Sequence, residues 1–201
     1  DKLAVVKALL NKVDTLIIGG GMAYTFKKAQ GLKIGNSLCE DEQVSYCKEM
    51  LEAATTKGIK ILLPIDSVIA NKFPETKDAS DIEMKTVEGD IPDGWMGLDI
   101  GPKSVALFSE AVKGAKTVVW NGPMGCFEFA PLSKGTYGVC EAVATVMANG
   151  GVSIIGGGDS VSAVKKSGKA AEMSHVSTGG GASLEFLEGK VLPGVAALTS
   201  K

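Results

Sequence analysis

Three runs of three glycines are the residues whose type and spacing most directly suggest chemistry in this chain. They occupy residues 19–21, 156–158 and 179–181. The first two follow short apolar runs, the third follows Val176-Ser177-Thr178, and each can lead into a helix. Without side chains the backbone can approach a phosphate closely, and free amides at the positive end of a helix dipole face the anion. One such run is equally well explained as a tight turn. Three of them, all expected at one sheet edge, favour a site for a phosphorylated ligand.

The glycine runs do not match the two common nucleotide-binding fingerprints. In a G-x-G-x-x-G pattern the third glycine would fall at Tyr24, Val161 or Leu184, and the chain has no G-x-x-x-x-G-K-[ST] sequence. The sequence therefore indicates neither a dinucleotide-dependent dehydrogenase nor a Walker-type ATPase.

Asp159 and Ser160 follow the second glycine run at a predicted helix start. Both residue types are favoured as helix N-caps, and that role would explain them without any ligand. The alternative is that Asp159 binds the Mg²⁺ of a nucleotide while Ser160 and the nearby amides bind phosphate oxygens. The residues alone leave both interpretations open.

Segment 120–128, with the sequence WNGPMGCFE, places polar groups directly after a strand of the buried type. Its turn carries a side-chain amide, two glycines and the carboxylate of Glu128. A carboxylate at such a turn can accept hydrogen bonds from two ribose hydroxyls. The alternative is a surface turn with a solvated Glu128.

Composition limits the partners of the chain. Of its 201 residues 22% are charged, the formal net charge is -2, and no basic cluster is present, which argues against nucleic acid or an anionic membrane as a partner. The chain contains no arginine, the usual bidentate ligand of carboxylates and phosphates, so a phosphorylated acid is expected to bind elsewhere. The four cysteines and His175 lack metal-binding spacing. These features predict no structural metal and a reducing, cytoplasmic location.

The elements that must position these residues alternate between short strands and helices. Apolar runs rich in β-branched residues lie at 15–18, 59–63, 117–120 and 152–155, and each ends in glycine or a turn. Residues 71–101 are polar and turn-rich, with weaker strand signals near 66–70 and 82–87. The pattern predicts one doubly wound, Rossmann-like α/β domain over residues 1–201, with a mostly parallel sheet and helices on both faces.

Two helices between these strands are predicted from apolar residues at helical spacing, which should face the core. Those residues are Val44, Cys47, Leu51 and Ala54 in the first helix, and Tyr137, Cys140, Ala144 and Met147 in the second.

Five longer motifs resemble those of phosphoglycerate kinase. They are IIGGGMAYTF at 17–26, GWMGLD at 94–99, VWNGPMGCFE at 119–128, GGGDS at 156–160 and HVSTGGGASLE at 175–185, and they run in family order. The resemblance implies the C-terminal half of a monomeric glycolytic kinase that moves a phosphoryl group between 1,3-bisphosphoglycerate and ADP. It also implies that the N-terminal half, which binds 3-phosphoglycerate, is absent from this sequence and that this chain alone is inactive. A cytoplasmic and an organellar form are not distinguished.

The resemblance implies a nucleotide site whose adenosine end is made of apolar residues and one carboxylate. Glu128 would hold the ribose. The adenine pocket would be lined by Gly20, Gly21, Leu38, Gly97 and Leu98, with Phe73 as a further member, and Asn121, Gly122, Met124 and Phe127 would pack along the nucleotide.

At the phosphate end the resemblance implies Mg²⁺, because phosphoryl transfer needs positioning and charge stabilisation more than covalent help. Asp159 would bind the metal, with Asp1 as a second ligand. Lys2, Gly157 and Ser160 would contact the phosphates of ADP or ATP, and Gly158, Gly181 and Lys2 would stabilise the moving phosphoryl group.

Two other functions stay open on the sequence. A nucleotide-sensing module would use the same pocket without turnover. A structural α/β domain would carry the glycine runs only as turns and would not bind Mg-ADP.

Overall fold

The computed structural model describes residues 2–177, 179 and 181–198. This part of the chain contains eight α-helices and eight β-strands. The helices are α1 (Lys2–Leu9), α2 (Met22–Ala29), α3 (Val44–Lys57), α4 (Pro102–Lys113), α5 (Lys134–Ala148), α6 (Gly158–Lys166), α7 (Ala182–Leu187) and α8 (Pro193–Ala196). The strands are β1 (Thr15–Ile17), β2 (Lys60–Leu62), β3 (Asp66–Ala70), β4 (Met84–Glu88), β5 (Met96–Ile100), β6 (Thr117–Asn121), β7 (Val152–Gly156) and β8 (His175–Val176).

The four strands predicted with the strongest signal are β1, β2, β6 and β7, and all four run parallel to a neighbour. β1 pairs with β2, and β6, β7 and β8 pair in that order. The predicted α/β class is therefore confirmed. Because parallel strands place their carboxyl ends at a common edge, the loops that follow them are brought together.

The third group of strands departs from the predicted parallel pattern. β3 lies between β4 and β5, and both pairs are antiparallel. β3 and β4 match the weaker strand signals, whereas β5 falls inside the segment expected to be turn-rich. β5 has the sequence Met-Gly-Leu-Asp-Ile, and glycine and aspartate are depleted in strands, so its composition hides it.

Apolar helix faces pack on both parallel groups. α3 buries Cys47 and Ala54 as its spacing predicts. In α5 the buried stripe includes Cys140 and Ala144, but Met147 is 41% exposed and Val143 and Val146 are buried instead. The prediction for Met147 was wrong because this residue lies in the last turn of α5, where residues 147–150 are all exposed.

Two buried aspartates from neighbouring strands satisfy the amino ends of α4 and α5. The Asp66 carboxylate accepts hydrogen bonds from the amides of Lys103 (3.0 Å) and Ser104 (2.7 Å), in the first turn of α4. The Asp99 carboxylate accepts one from the amide of Gly135 (2.8 Å), in the first turn of α5. Both aspartates are 1% exposed, so strand side chains replace the local caps that these two helices lack.

Candidate functional site

Four loops form one continuous edge beyond the carboxyl ends of β1, β6, β7 and β8. The amide of Gly20, after β1, donates to the carbonyl of Met124, after β6 (3.2 Å). The amide of Gly122, also after β6, donates to the hydroxyl of Ser160 at the start of α6 (2.6 Å). Gly156 lies so close to Ser183 in α7 that a Cβ on the glycine would be 3.3 Å from the serine Cβ. The structure thus brings the first two glycine runs and the described glycines of the third, Gly179 and Gly181, to one edge, as predicted.

The first glycine run is tightly packed against its neighbours. Gly20 has φ +65°, and a Cβ there would lie 2.9 Å from the carbonyl oxygen of Pro123. A Cβ on Gly21 would lie 2.7 Å from Cδ2 of Leu38, whose side chain is 71% exposed. Turn geometry and packing therefore account for glycine at both positions, and they set an exposed leucine beside the loop.

The segment Gly97–Leu98 of β5 completes the predicted adenine wall. Gly97 is buried beneath the Tyr24 ring, which a Cβ would overlap, and its amide donates to the hydroxyl of Ser37 (2.9 Å). The carbonyl of Leu98 accepts from the amide of Cys126 (2.8 Å). The residues predicted for adenine are therefore linked through contacts to the 37–38 segment and the turn after β6.

Phe73 lies next to this wall. Its ring is 52% exposed and packs edge-on against the Phe129 ring, with centroids 5.7 Å apart. Phe129 in turn packs against the buried cluster that contains Leu98.

The turn after β6 points its apolar residues inward and its acid outward. Met124 and Phe127 are 6% and 4% exposed, and Lys166 lies 5.3 Å from the centre of the Phe127 ring. The Met124 amide donates to the hydroxyl of Thr136 (3.1 Å). Glu128 is exposed to solvent. The turn is thus held by the packing of its apolar side chains and leaves the Glu128 carboxylate exposed.

Helix α6 starts at Gly158, and its N-cap is Gly157, which has φ +83° and no side-chain capping bond. The N-cap interpretation of Asp159 and Ser160 is therefore wrong, since both lie within the first turn. Asp159 is exposed there. Ser160 is fully buried and accepts from the Gly122 amide, so its hydroxyl proton is left to donate.

The side-chain amide of Asn121 has an unsatisfied donor at this edge. Its Nδ2 is buried and has no hydrogen-bond partner among the described residues. A Cβ on Gly157 would lie 2.9 Å from it, and one on Gly156 3.3 Å. Buried donors without a partner are rare and mark strain or a missing acceptor. A ligand oxygen beside the second glycine run would supply that acceptor.

Gly158 and Gly181 are not explained by packing. Apart from the chain neighbours and the backbone of the same helix, no described atom lies within 4 Å of the Cβ that either would carry, and neither has φ in the left-handed region. Gly158 is the first residue of α6 and Gly181 the N-cap of α7. Both helix starts therefore have open space where a side chain would stand.

The metal ligands predicted from the sequence are described only in part. Asp1 and the side chain of Lys2 lie outside the described residues, whereas Lys2 itself begins α1. Within the described ranges, no three His, Cys, Asp or Glu residues are grouped closely enough to hold a metal. A lone carboxylate such as Asp159 still fits Mg²⁺, which is commonly bound by one or two carboxylates together with substrate phosphates.

Sequence reasoning missed Asp99 and Tyr24, which lie behind the adenine wall. Burial raises the pKa of Asp99 to about 7, although the amides of Gly135 and Ile100 donate to it and oppose that shift. Burial, and then the nearby Asp99, raise the pKa of Tyr24 well above its usual value. The signal available in the sequence was an aspartate inside the apolar run 96–100.

Two cavities of about 500 and 370 Å³ lie away from this edge. The first is lined by residues 10–14 and 57–59, and the second by parts of α2, β2 and the segment after β2. None of the helices that the structure describes is long and apolar enough to span a membrane.

Comparison with known proteins gives consistent matches. Residues 1–190 match the family model described as "Phosphoglycerate kinase". The chain is similar to phosphoglycerate kinases of Clostridium novyi (58% identity) and Clostridium botulinum strain Hall (59%), in each case over 201 residues, 100% of this chain and 49% of the relative. The chain spans about half the length of the curated relatives it matches. The organellar alternative receives no support from these bacterial relatives.

Solved structures give the same result. The phosphoglycerate kinase of Coxiella burnetii superposes with a TM-score of 0.89 and 40% identity, covering 97% of this chain and 49% of that one. The enzyme of Pyrococcus horikoshii superposes with a TM-score of 0.78 and 27% identity, covering 98% and 48%.

Proposed function

The chain belongs to the phosphoglycerate kinase family, and from that premise we propose that it carries the Mg-nucleotide site of a glycolytic phosphotransferase. The reaction moves a phosphoryl group between 1,3-bisphosphoglycerate and ADP, or from ATP to 3-phosphoglycerate in reverse. The observation that carries the proposal is the start of α6. There an exposed carboxylate, an unsatisfied Asn121 amide and a glycine without packing neighbours meet at the edge shared by three glycine runs.

The adenosine end of the nucleotide is assigned to the loops after β1 and β6 and to β5. Leu38 offers an exposed apolar surface beside Gly20 and Gly21. Gly97 and Leu98 form the opposite wall. Glu128 is exposed and can accept from ribose hydroxyls without first losing a partner in the described structure. Met124 and Phe127 contribute as the packed support of this turn.

The phosphate end is assigned to the second and third glycine runs. When bound, Mg²⁺ would supply charge stabilisation for the phosphate oxygens. Asp159 would hold the metal, with Asp1 as a further ligand. Asn121 and Ser160 each have a proton to donate. The amides of Gly122, Gly157, Gly158 and Gly181, and the Lys2 ammonium, would surround the phosphate oxygens.

The glycerate substrate is assigned to residues outside this chain. The relatives are about twice as long, and this chain contains no arginine with which to bind a phosphorylated acid bidentately. Transfer requires the acceptor and the donor phosphate to be held within about 3–3.5 Å of each other. The part played by this chain is therefore to hold and orient the nucleotide.

Calorimetric titration of the purified chain tests the proposal. We expect saturable binding of ADP that is stronger with Mg²⁺ than with a chelator present. A folded chain that binds neither Mg-ADP nor Mg-ATP would instead support the structural-domain alternative. Circular dichroism on the same sample shows whether the chain is folded.

Replacing Glu128 with glutamine should weaken ADP binding about tenfold, because the ribose loses a charged hydrogen-bond acceptor. Binding of inorganic tripolyphosphate, which has no sugar, should not change. The matched control is Glu49→Gln on the exposed face of α3. Equal losses for ADP and tripolyphosphate would refute the ribose assignment.

A further inference from the structure

Asp99 lies at the junction of three segments behind the proposed adenosine site. It follows Leu98 in β5, and its carboxylate accepts from the amides of Ile100 and Gly135 at 2.8 Å each. A Cβ on Gly125 or on Gly135 would overlap this carboxylate. Two glycines are therefore required by one buried acid, which fixes the distance between β5, the turn after β6 and the start of α5.

The segments that meet at Asp99 are the ones that carry the proposed adenosine contacts. The Leu98 carbonyl is bonded to the Cys126 amide, and a Cβ on Gly125 would be 2.6 Å from the same carbonyl. Phe127 and Glu128 follow directly along the turn. Asp99 therefore packs against the turn at Gly125 and is hydrogen-bonded to the start of α5 at Gly135, so the wall, the turn and the helix start share one buried carboxylate.

We propose that Asp99 is a positioning residue for the adenosine end of the site, and that the site binds adenosine most tightly when this carboxylate is ionised. The proposal rests on the nucleotide-binding function proposed above. Its physical basis is that an ionised carboxylate accepts both backbone bonds strongly, whereas a protonated one keeps one good acceptor and gains a donor.

The protonation change falls in an accessible pH range. Burial raises the pKa of Asp99 to about 7. Two described groups, Cys126 on the turn and Tyr24 on α2, interact electrostatically with Asp99. Burial raises the pKa of Cys126 to about 11 and the pKa of Tyr24 well above its usual value. Glu128 on the same turn is exposed and acts on Cys126. Neither Cys126 nor Tyr24 therefore changes charge near neutral pH.

Stability and affinity should respond to pH in opposite directions. The folded pKa of Asp99 lies above the ordinary value of 3.8, so its contribution to stability is present at low pH and is lost as pH rises to about 7. Adenosine affinity should instead rise over the upper part of this range. A general loss of stability at higher pH would weaken adenosine binding, so it cannot produce lower stability together with higher affinity.

The experiment measures the dissociation constant of adenosine between about pH 5.5 and pH 8.5, on either side of the Asp99 pKa. Adenosine is chosen because, unlike ADP, it has no phosphate that titrates in this range. We expect the wild-type chain to bind roughly threefold to tenfold more tightly at the upper pH, as expected for one net hydrogen bond. Asp99→Asn should bind weakly with no dependence on pH.

Asp66→Asn is the matched control. Asp66 is equally buried and also accepts from helix amides, but its contacts are with α4 and not with the turn. It should lower stability and leave the pH profile of adenosine binding intact. An Asp99→Asn chain that keeps the wild-type profile would overturn the proposal.

A second measurement does not depend on the variant folding. The pKa of Asp99, followed by carboxyl ¹³C NMR on the wild-type chain, should fall when adenosine saturates the site, since binding and ionisation are linked. An unchanged pKa overturns the positioning role, while Mg-ADP binding by calorimetry would still support the nucleotide site. If the wild-type chain binds neither adenosine nor Mg-ADP, the proposed nucleotide-binding function is refuted as well.

Discussion

Replacing Gly158 with alanine should leave the chain at least as stable as before and lower its affinity for Mg-ADP by roughly tenfold to a hundredfold. Alanine is favoured over glycine in a helix by roughly 0.5–1 kcal/mol, and apart from the chain neighbours and the backbone of α6 no described atom lies within 4 Å of the new methyl group. The same methyl group would stand where a phosphate is proposed to approach the backbone. Thermal unfolding and calorimetry on one preparation measure both effects.

Two further alanine substitutions calibrate this result. Gly157→Ala forces alanine into φ +83°, ψ 140° and against Asn121, so we expect it to lose about 1–3 kcal/mol of stability as well as binding. Gly114→Ala, at the carboxyl end of α4, has ordinary φ and should change affinity little. If Gly158→Ala binds Mg-ADP as tightly as wild type, the phosphate does not approach the start of α6.

Replacing Asp159 with asparagine should remove most of the enhancement that Mg²⁺ gives to ADP binding. We expect the affinity for ADP in the presence of Mg²⁺ to fall roughly tenfold or more. The fold should be preserved, because Asp159 makes no capping bond in α6. The measurement is ADP affinity as a function of Mg²⁺ concentration. Binding without Mg²⁺ should change little or improve, since a negative charge near the phosphates has been removed.

Asp14→Asn is the control for charge alone. It removes one exposed carboxylate at the amino end of β1, opposite to the proposed site. Its Mg²⁺ titration should match that of wild type. If the Mg²⁺ titration of Asp159→Asn equals that of wild type, Asp159 does not bind the metal. Its carboxylate would then act only through its interaction with the dipole of α6.

The sequence was most informative where function requires several residues in a row. The family resemblance drawn from five motifs is confirmed, and so are the parallel strands that end in glycine runs. Periodicity failed where burial depends on packing from outside the element, as at Met147. It also failed for β5, because a strand that contains glycine and a buried aspartate is stabilised by partners distant in sequence.

For the candidate site, residue type predicted which positions meet but not how each is held. Nothing local indicates that Ser160 is buried under the Gly122 amide, or that Gly97 lies beneath Tyr24. The Asp159 and Ser160 cap was wrong because Gly157, two positions before Asp159, takes the N-cap position and lets the helix begin sooner. Which of these residues touch a nucleotide stays a prediction until binding is measured.

The non-local capping of α4 and α5 also bears on how the chain folds. An isolated peptide covering either helix would lack the Asp66 or Asp99 carboxylate, and short helices are marginal in water without such help. We therefore infer that these helices become persistent only after β3 and β5 have docked, so the four elements should open and close as one cooperative unit. In native-state hydrogen exchange, the amides of Ser104 and Gly135 would then exchange with the same opening free energy as the amides of β3. Substituting either aspartate would lower that opening free energy for all four elements together.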